Sequence, residues 1–60
     1  MKTQELVKLL KKNGCYISRN GTRHDIWYSE KTGEQFPVPR HKAEVAVGTL
    51  NNILKAAGLK

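Results

Sequence analysis

Cys15-Tyr16-Ile17-Ser18-Arg19-Asn20-Gly21-Thr22-Arg23-His24-Asp25-Ile26-Trp27-Tyr28-Ser29 is the stretch on which the fold of this chain turns. From Cys15 to Arg19, Cys15 and Ile17 alternate with Tyr16 and Ser18, the period that sends successive side chains of a strand to opposite faces. Asn20-Gly21 supplies the positive-φ pair of a tight hairpin, so the spacing predicts two antiparallel strands joined there. The second strand runs from about Arg23 to Ser29. His24, Ile26 and Tyr28 share one side of it and Arg23, Asp25 and Trp27 the other, with Ile26 expected to face the core.

Upstream, Leu6, Leu9 and Leu10 recur at i, i+3 and i+4. Thr3 is placed to act as N-cap, Glu5 lies in the first turn, and Lys11, Lys12 and Gly14 close the end, so an amphipathic helix is predicted to finish near Asn13. Downstream, the polar run from Ser29 to Gly33 ends in the turn signal Thr32-Gly33, and Phe36 and Val38 then share one face of a third strand. Pro37 and Pro39 lack ladder donors, which puts that strand at a sheet edge. Arg40 to Val47 reads as a basic connector. Gly48-Thr49 opens a last helix in which Leu50, Ile53, Leu54 and Ala57 fall at helical spacing before Gly58 ends it. The order α-β-β-β-α implies an α+β domain spanning residues 1–60, with two helices on one face of a three-stranded antiparallel sheet and the other face in solvent. There is no repeat, low-complexity tract or linker.

A 60-residue chain buries only about 60% of the surface its unfolded form exposes, so nearly every apolar residue is needed for packing. The expected core is Leu6, Leu9, Leu10, Ile17, Ile26, Phe36, Val38, Leu50, Ile53 and Leu54. No deep pocket fits within it, so any site must lie at the surface. Eleven Lys and Arg against five Asp and Glu give a net charge of +6 and a pI near 9.8. Such a balance favours a polyanionic partner, because each neutralised phosphate releases counterions, although a merely soluble basic domain has the same composition. A membrane surface fits less well: Gln4 and Glu5 interrupt the polar face that carries Lys8, Lys11 and Lys12, and no run approaches the ~18 apolar residues of a spanning segment. The single Cys15 has no partner for an internal disulfide and reads as a small core residue. Met1-Lys2 leads into Thr3-Gln4-Glu5 rather than an apolar secretory stretch, so the expected location is cytoplasmic.

RNA can be cut without an added nucleophile by deprotonating the ribose 2′-OH beside the scissile phosphate and protonating the leaving 5′ oxygen. Imidazole is suited to that work near neutrality. His24 is the first candidate; its bland alternative is a half-exposed hairpin residue without chemistry. Asp25, adjacent on the strand, points to the opposite face, so it is expected to pair with a basic neighbour or face water rather than orient His24. His41 is a second candidate, as partner acid, phosphate contact or plain solvated loop residue. Arg23, Arg40 and Lys42 suit phosphate oxygens and the negative charge that grows on pentacovalent phosphorus, or else form ordinary solvated surface. Tyr16, Trp27 and Tyr28 could stack on unpaired bases, but in so small a domain packing is the simpler role. Cys15, His24 and His41 lack the close pair spacings of zinc sites, and no carboxylate cluster offers magnesium a home, so no metal or other cofactor is expected.

Several segments taken in order resemble one family: Glu5-Leu6-Val7-Lys8-Leu9-Leu10 with Asn13-Gly14, Gly21-Thr22-Arg23-His24, Val38-Pro39-Arg40-His41, Gly48-Thr49-Leu50, then Ile53-Leu54 and Ala57-Gly58-Leu59. Nearly end to end, the chain is similar to HicA-type toxins, the mRNA interferases of two-gene toxin–antitoxin modules. The resemblance implies a double-stranded-RNA-binding-domain-like fold, endonucleolytic cleavage of mRNA that shuts down translation, and a catalytic His24. Many relatives carry a shorter Gly-Ser-His; with the extra residue here, the resemblance implies a supporting role for Arg23. A cognate HicB-type antitoxin that covers the histidine or the RNA surface is implied as well.

Two other functions share this fold. A non-catalytic module would bind duplex RNA by shape, but such binders resemble one another in a Lys cluster at the start of the last helix, where this chain has Ala46-Val47-Gly48-Thr49. A degenerate toxin would keep only the antitoxin-binding role, its basic face serving an acidic protein.

Overall fold

In a computed structural model describing residues 1–60, the elements follow the expected order: α1 Thr3–Lys12, β1 Cys15–Asn20, β2 His24–Ser29, β3 Gln35–Pro39 and α2 Val47–Ala56. The three strands form one antiparallel sheet in the order β1-β2-β3. Both helices cover a single face, and β3 with its two prolines is an edge, as the missing donors require.

The covered face is set by β2. Trp27 and Ser29 are buried, and their neighbours across the sheet are Phe36 for Trp27 and Cys15 for Ser29. Leu6 and Leu10 of α1 and Ile53 of α2 close over them with Val38, Val45 and Ala57. The expectation that Ile26 faces inward is therefore corrected: Ile26 is half-buried on the open face, opposite Pro37. Strand alternation forces a choice between Ile26 and Trp27, and burying the larger apolar surface opposite Phe36 wins. Ile17 also leaves the expected core. It pairs with Trp27, yet on the edge strand β1 it stays 41% exposed. Leu9, Leu50 and Leu54 are only half-buried, whereas Cys15 takes its expected core place.

Three local expectations change. No non-glycine residue has positive φ, and Gly21 is not among the positive-φ glycines, so Asn20-Gly21 is not a two-residue hairpin turn. Instead Gly21–Arg23 links the strands, and β1 carries a bulge between Ile17 and Arg19. Thr3 does not cap α1: Lys2 occupies that position, and the Thr3 hydroxyl donates to the Lys42 carbonyl at 2.6 Å. The basic connector is a strap with its own anchor. Val45 is buried, Lys2 and Glu44 pair as an isolated antiparallel β-bridge of the backbone, Thr3 N–H donates to the Ala43 carbonyl and Val45 N–H to the Met1 carbonyl. The strap delivers its chain to α2 one residue earlier than expected, at Val47, which is within the usual spread of helix boundaries.

The far end of the sheet is latched to α2. Ser29, fully buried, donates its hydroxyl to the Ala57 carbonyl at 3.1 Å and accepts from Thr32 N–H, while the Thr32 hydroxyl donates to Ala56 at 2.6 Å. Removing a buried partner leaves the desolvated carbonyl unpaired at a cost of ~1–3 kcal/mol. Ser29→Ala is therefore expected to lower the thermal midpoint, at ~4–8 °C per kcal/mol in a domain this small, as followed by circular dichroism. An unchanged midpoint would show that the latch contributes nothing.

Candidate nucleic-acid interface

His24 is the first residue of β2, exposed, and paired with Pro39 of β3. Its place depends on the loop before it. A Cβ on Gly21 would lie 2.1 Å from the His24 carbonyl oxygen, a separation only glycine permits. Arg40 secures the same loop from outside: its guanidinium donates to the Gly21 carbonyl at 2.7 Å and its backbone N–H to the Arg23 carbonyl at 3.0 Å. Asp25 completes the clamp. Its Oδ1 lies 3.7 Å from Arg40 Nε and receives no hydrogen bond, so the contact is Coulombic. As expected, Asp25 turns to a basic neighbour and away from His24, since it pairs with Val38 on the helix-covered face. Gly21→Ala must displace the loop; it is expected to cost ~1–3 kcal/mol in thermal unfolding as an overpacked site does. A midpoint equal to wild type would contradict this close approach.

On the helix side, an open cleft of about 540 Å³ is lined by Lys2, Thr3, Gln4 and the strap from Arg40 to Glu44. A second groove of about 450 Å³ shares Thr3, Gln4 and Arg40 with it and runs along α1 past Lys8 and Lys11. Arg40, His41 and Lys42 are thus brought together beside the start of α1. His24 lines neither hollow, and Arg23 is exposed in the loop beside it. The candidate residues form two groups joined through Arg40. The Arg40–Asp25 contact is the only ion pair, so no other Lys or Arg is neutralised by a carboxylate. No three His, Cys, Asp or Glu side chains are grouped as a metal site would need. No helix is long and apolar enough to cross a membrane.

Lys2, Lys8 and Lys11 were not foreseen as part of this surface. Gln4, Lys8 and Lys11 do recur at i, i+4 and i+7, which marks one helix stripe. Its juxtaposition with Arg40 depends on the strap and has no local signal.

A family model described as the HicA toxin of bacterial toxin–antitoxin systems matches residues 3–59. The chain belongs to the HicA toxin family. The matched span contains both groups, the Gly21–His24 loop and the Pro39–Lys42 segment. As the toxin of a toxin–antitoxin pair, HicA implies a cognate antitoxin. Neither the curated proteins nor the solved structures compared with the chain gave a match.

Proposed function

We propose that this toxin, acting as one domain over residues 1–60, is a metal-independent endoribonuclease that cleaves mRNA and thereby stops translation. The observation that carries the proposal is an exposed His24 at the sheet end, held by a glycine-dependent loop in a cationic surround. A neutral imidazole at this position accepts the proton of a ribose 2′-OH. The 2′ oxygen then bonds to phosphorus, the bond from phosphorus to the 5′ oxygen breaks, and the departing oxygen takes up a proton from water, while the His24 imidazolium returns its own to solvent. The products are a 2′,3′-cyclic phosphate and a 5′-hydroxyl.

Arg23, exposed beside His24, is the cation for the scissile phosphate, where charge grows in the transition state. Arg40 is occupied with Gly21 and Asp25, so its chief role is to position the loop, with phosphate contact on its cleft side. His41 and Lys42 face the cleft by the α1 start, and this supports phosphate binding for both rather than proton transfer by His41. A HicB-type antitoxin with an acidic surface would be steered to the same cations and, binding only the folded toxin, would stabilise it.

The test is incubation of wild-type toxin with a defined mRNA in excess chelator. Scission leaving cyclic phosphate ends supports the proposal; cleavage that needs added divalent metal, or none under any condition, overturns it.

A further inference from the structure

The open face of the sheet carries side chains that the proposed proton transfer does not use. Tyr16 of β1 and Tyr28 of β2 are directly paired there, with ring centroids 5.5 Å apart and planes tilted by 49°. Tyr16 is 48% exposed, so its ring is open to solvent. Packing, the simpler role for these aromatics, holds for Trp27, which is 2% exposed on the other face, and in part for Tyr28, which is half-buried.

The β1 bulge changes what accompanies the tyrosines. Simple alternation from Cys15 would turn Arg19 toward the helices. With Ser18 as the extra residue, Arg19 instead pairs with Ile26, on the open face. Bulges re-aim side chains in this way beside functional sites. The Ser18 hydroxyl, donating to the Ile26 carbonyl at 3.3 Å, ties the bulge to β2. Tyr28, Ile26 and His24 follow one another along the same side of β2, and His24 lies roughly 13 Å from Tyr28 along the strand. No strand residue on this face is acidic, since Asp25 is turned to the helix side.

We infer that the open face is a platform for unpaired RNA, with Tyr16 and Tyr28 stacking a base a short distance from the phosphate presented to His24, and Arg19 contacting the backbone between them. The inference rests on the ribonuclease reading for its link to His24. Charge and shape select the occupant. Two paired tyrosine rings beside one arginine, with no acidic strand residue on the face, suit stacked bases and phosphate, and stacking requires bases that are not already paired in a duplex. The toxin would therefore select single-stranded segments of mRNA.

Binding is measured by fluorescence anisotropy with wild-type toxin and variants, using a labelled single-stranded RNA methylated at every 2′ oxygen, so that it cannot be cut, and the same strand in a duplex. Tyr16→Ala is expected to weaken single-strand binding about tenfold, whereas Tyr16→Phe stays within about twofold of wild type because the ring is kept. Duplex binding should change far less. Arg19→Gln should weaken the single-strand complex and flatten its salt dependence. Circular dichroism melts confirm that the variants are folded, which the exposure of Tyr16 and Arg19 favours.

Unchanged single-strand affinity in Tyr16→Ala overturns the platform, as does an equal loss for both probes. So does unaffected RNA binding accompanied by lost self-association in sedimentation, or by weakened antitoxin binding, since the face would then be a protein contact. Because the probe is uncleavable, Tyr16-dependent binding by a protein that never cuts RNA would leave the platform standing and remove the ribonuclease. Cleavage by Tyr16→Ala with wild-type KM would do the reverse.

Discussion

His24→Ala is expected to lower the rate of mRNA cleavage by ~10²–10⁴-fold, the usual contribution of a positioned general acid or base. The fold should be retained, because His24 is exposed and belongs to no core contact. Growth arrest on expression should disappear with the cleavage. The measurement is a time course on a defined transcript, with melting curves of both proteins alongside. A His24→Ala protein that cuts at the wild-type rate removes His24 from the chemistry. His41→Ala serves as the internal comparison. Facing the cleft at the start of α1, it should mainly raise KM; if it abolishes turnover as completely as His24→Ala, His41 is the second proton-transfer group.

Trp27→Ala should be the most damaging core substitution. Truncating a buried aromatic costs ~3–5 kcal/mol, against a total stability of only ~3–9 kcal/mol expected for a chain of this length. The variant is expected to be largely unfolded or to melt near room temperature. Its neighbour provides the contrast. Ile26→Ala removes a half-buried side chain from the open face and should cost ~1 kcal/mol, close to the average for point substitutions. Urea denaturation followed by circular dichroism measures both. Equal losses, or a greater loss for Ile26→Ala, would mean that β2 presents the wrong face to the helices.

Those two residues also show where local reading stops. Helix periodicity at Leu6 and Leu10, the prolines of β3, and Gly58 with φ +80° after α2 are signals confined to a few residues. They made the order of elements and the one-sided sheet legible. His24, Arg23, Arg40, His41 and Lys42 were legible as chemically suited side chains, and family membership now rests on residues 3–59. Their grouping was not legible. Arg40 reaches Gly21 because β3 pairs with β2, and it joins Lys8 and Lys11 in one groove because the strap packs against the start of α1.

Element type follows from short-range steric and hydrogen-bonding preferences, and those are written in consecutive residues of this chain: helix, three strands, helix. Sidedness is another matter. An isolated β2 offers Ile26 and Trp27 as alternative inward residues, and the choice is made by Phe36 across the sheet and by α1 and α2 above it. The β1 bulge likewise shows itself only once β1 has a partner, yet it decides which face Arg19 shares. Pairing register and helix docking are contacts between residues distant in sequence, so the surface that surrounds His24 exists only when the whole chain has folded.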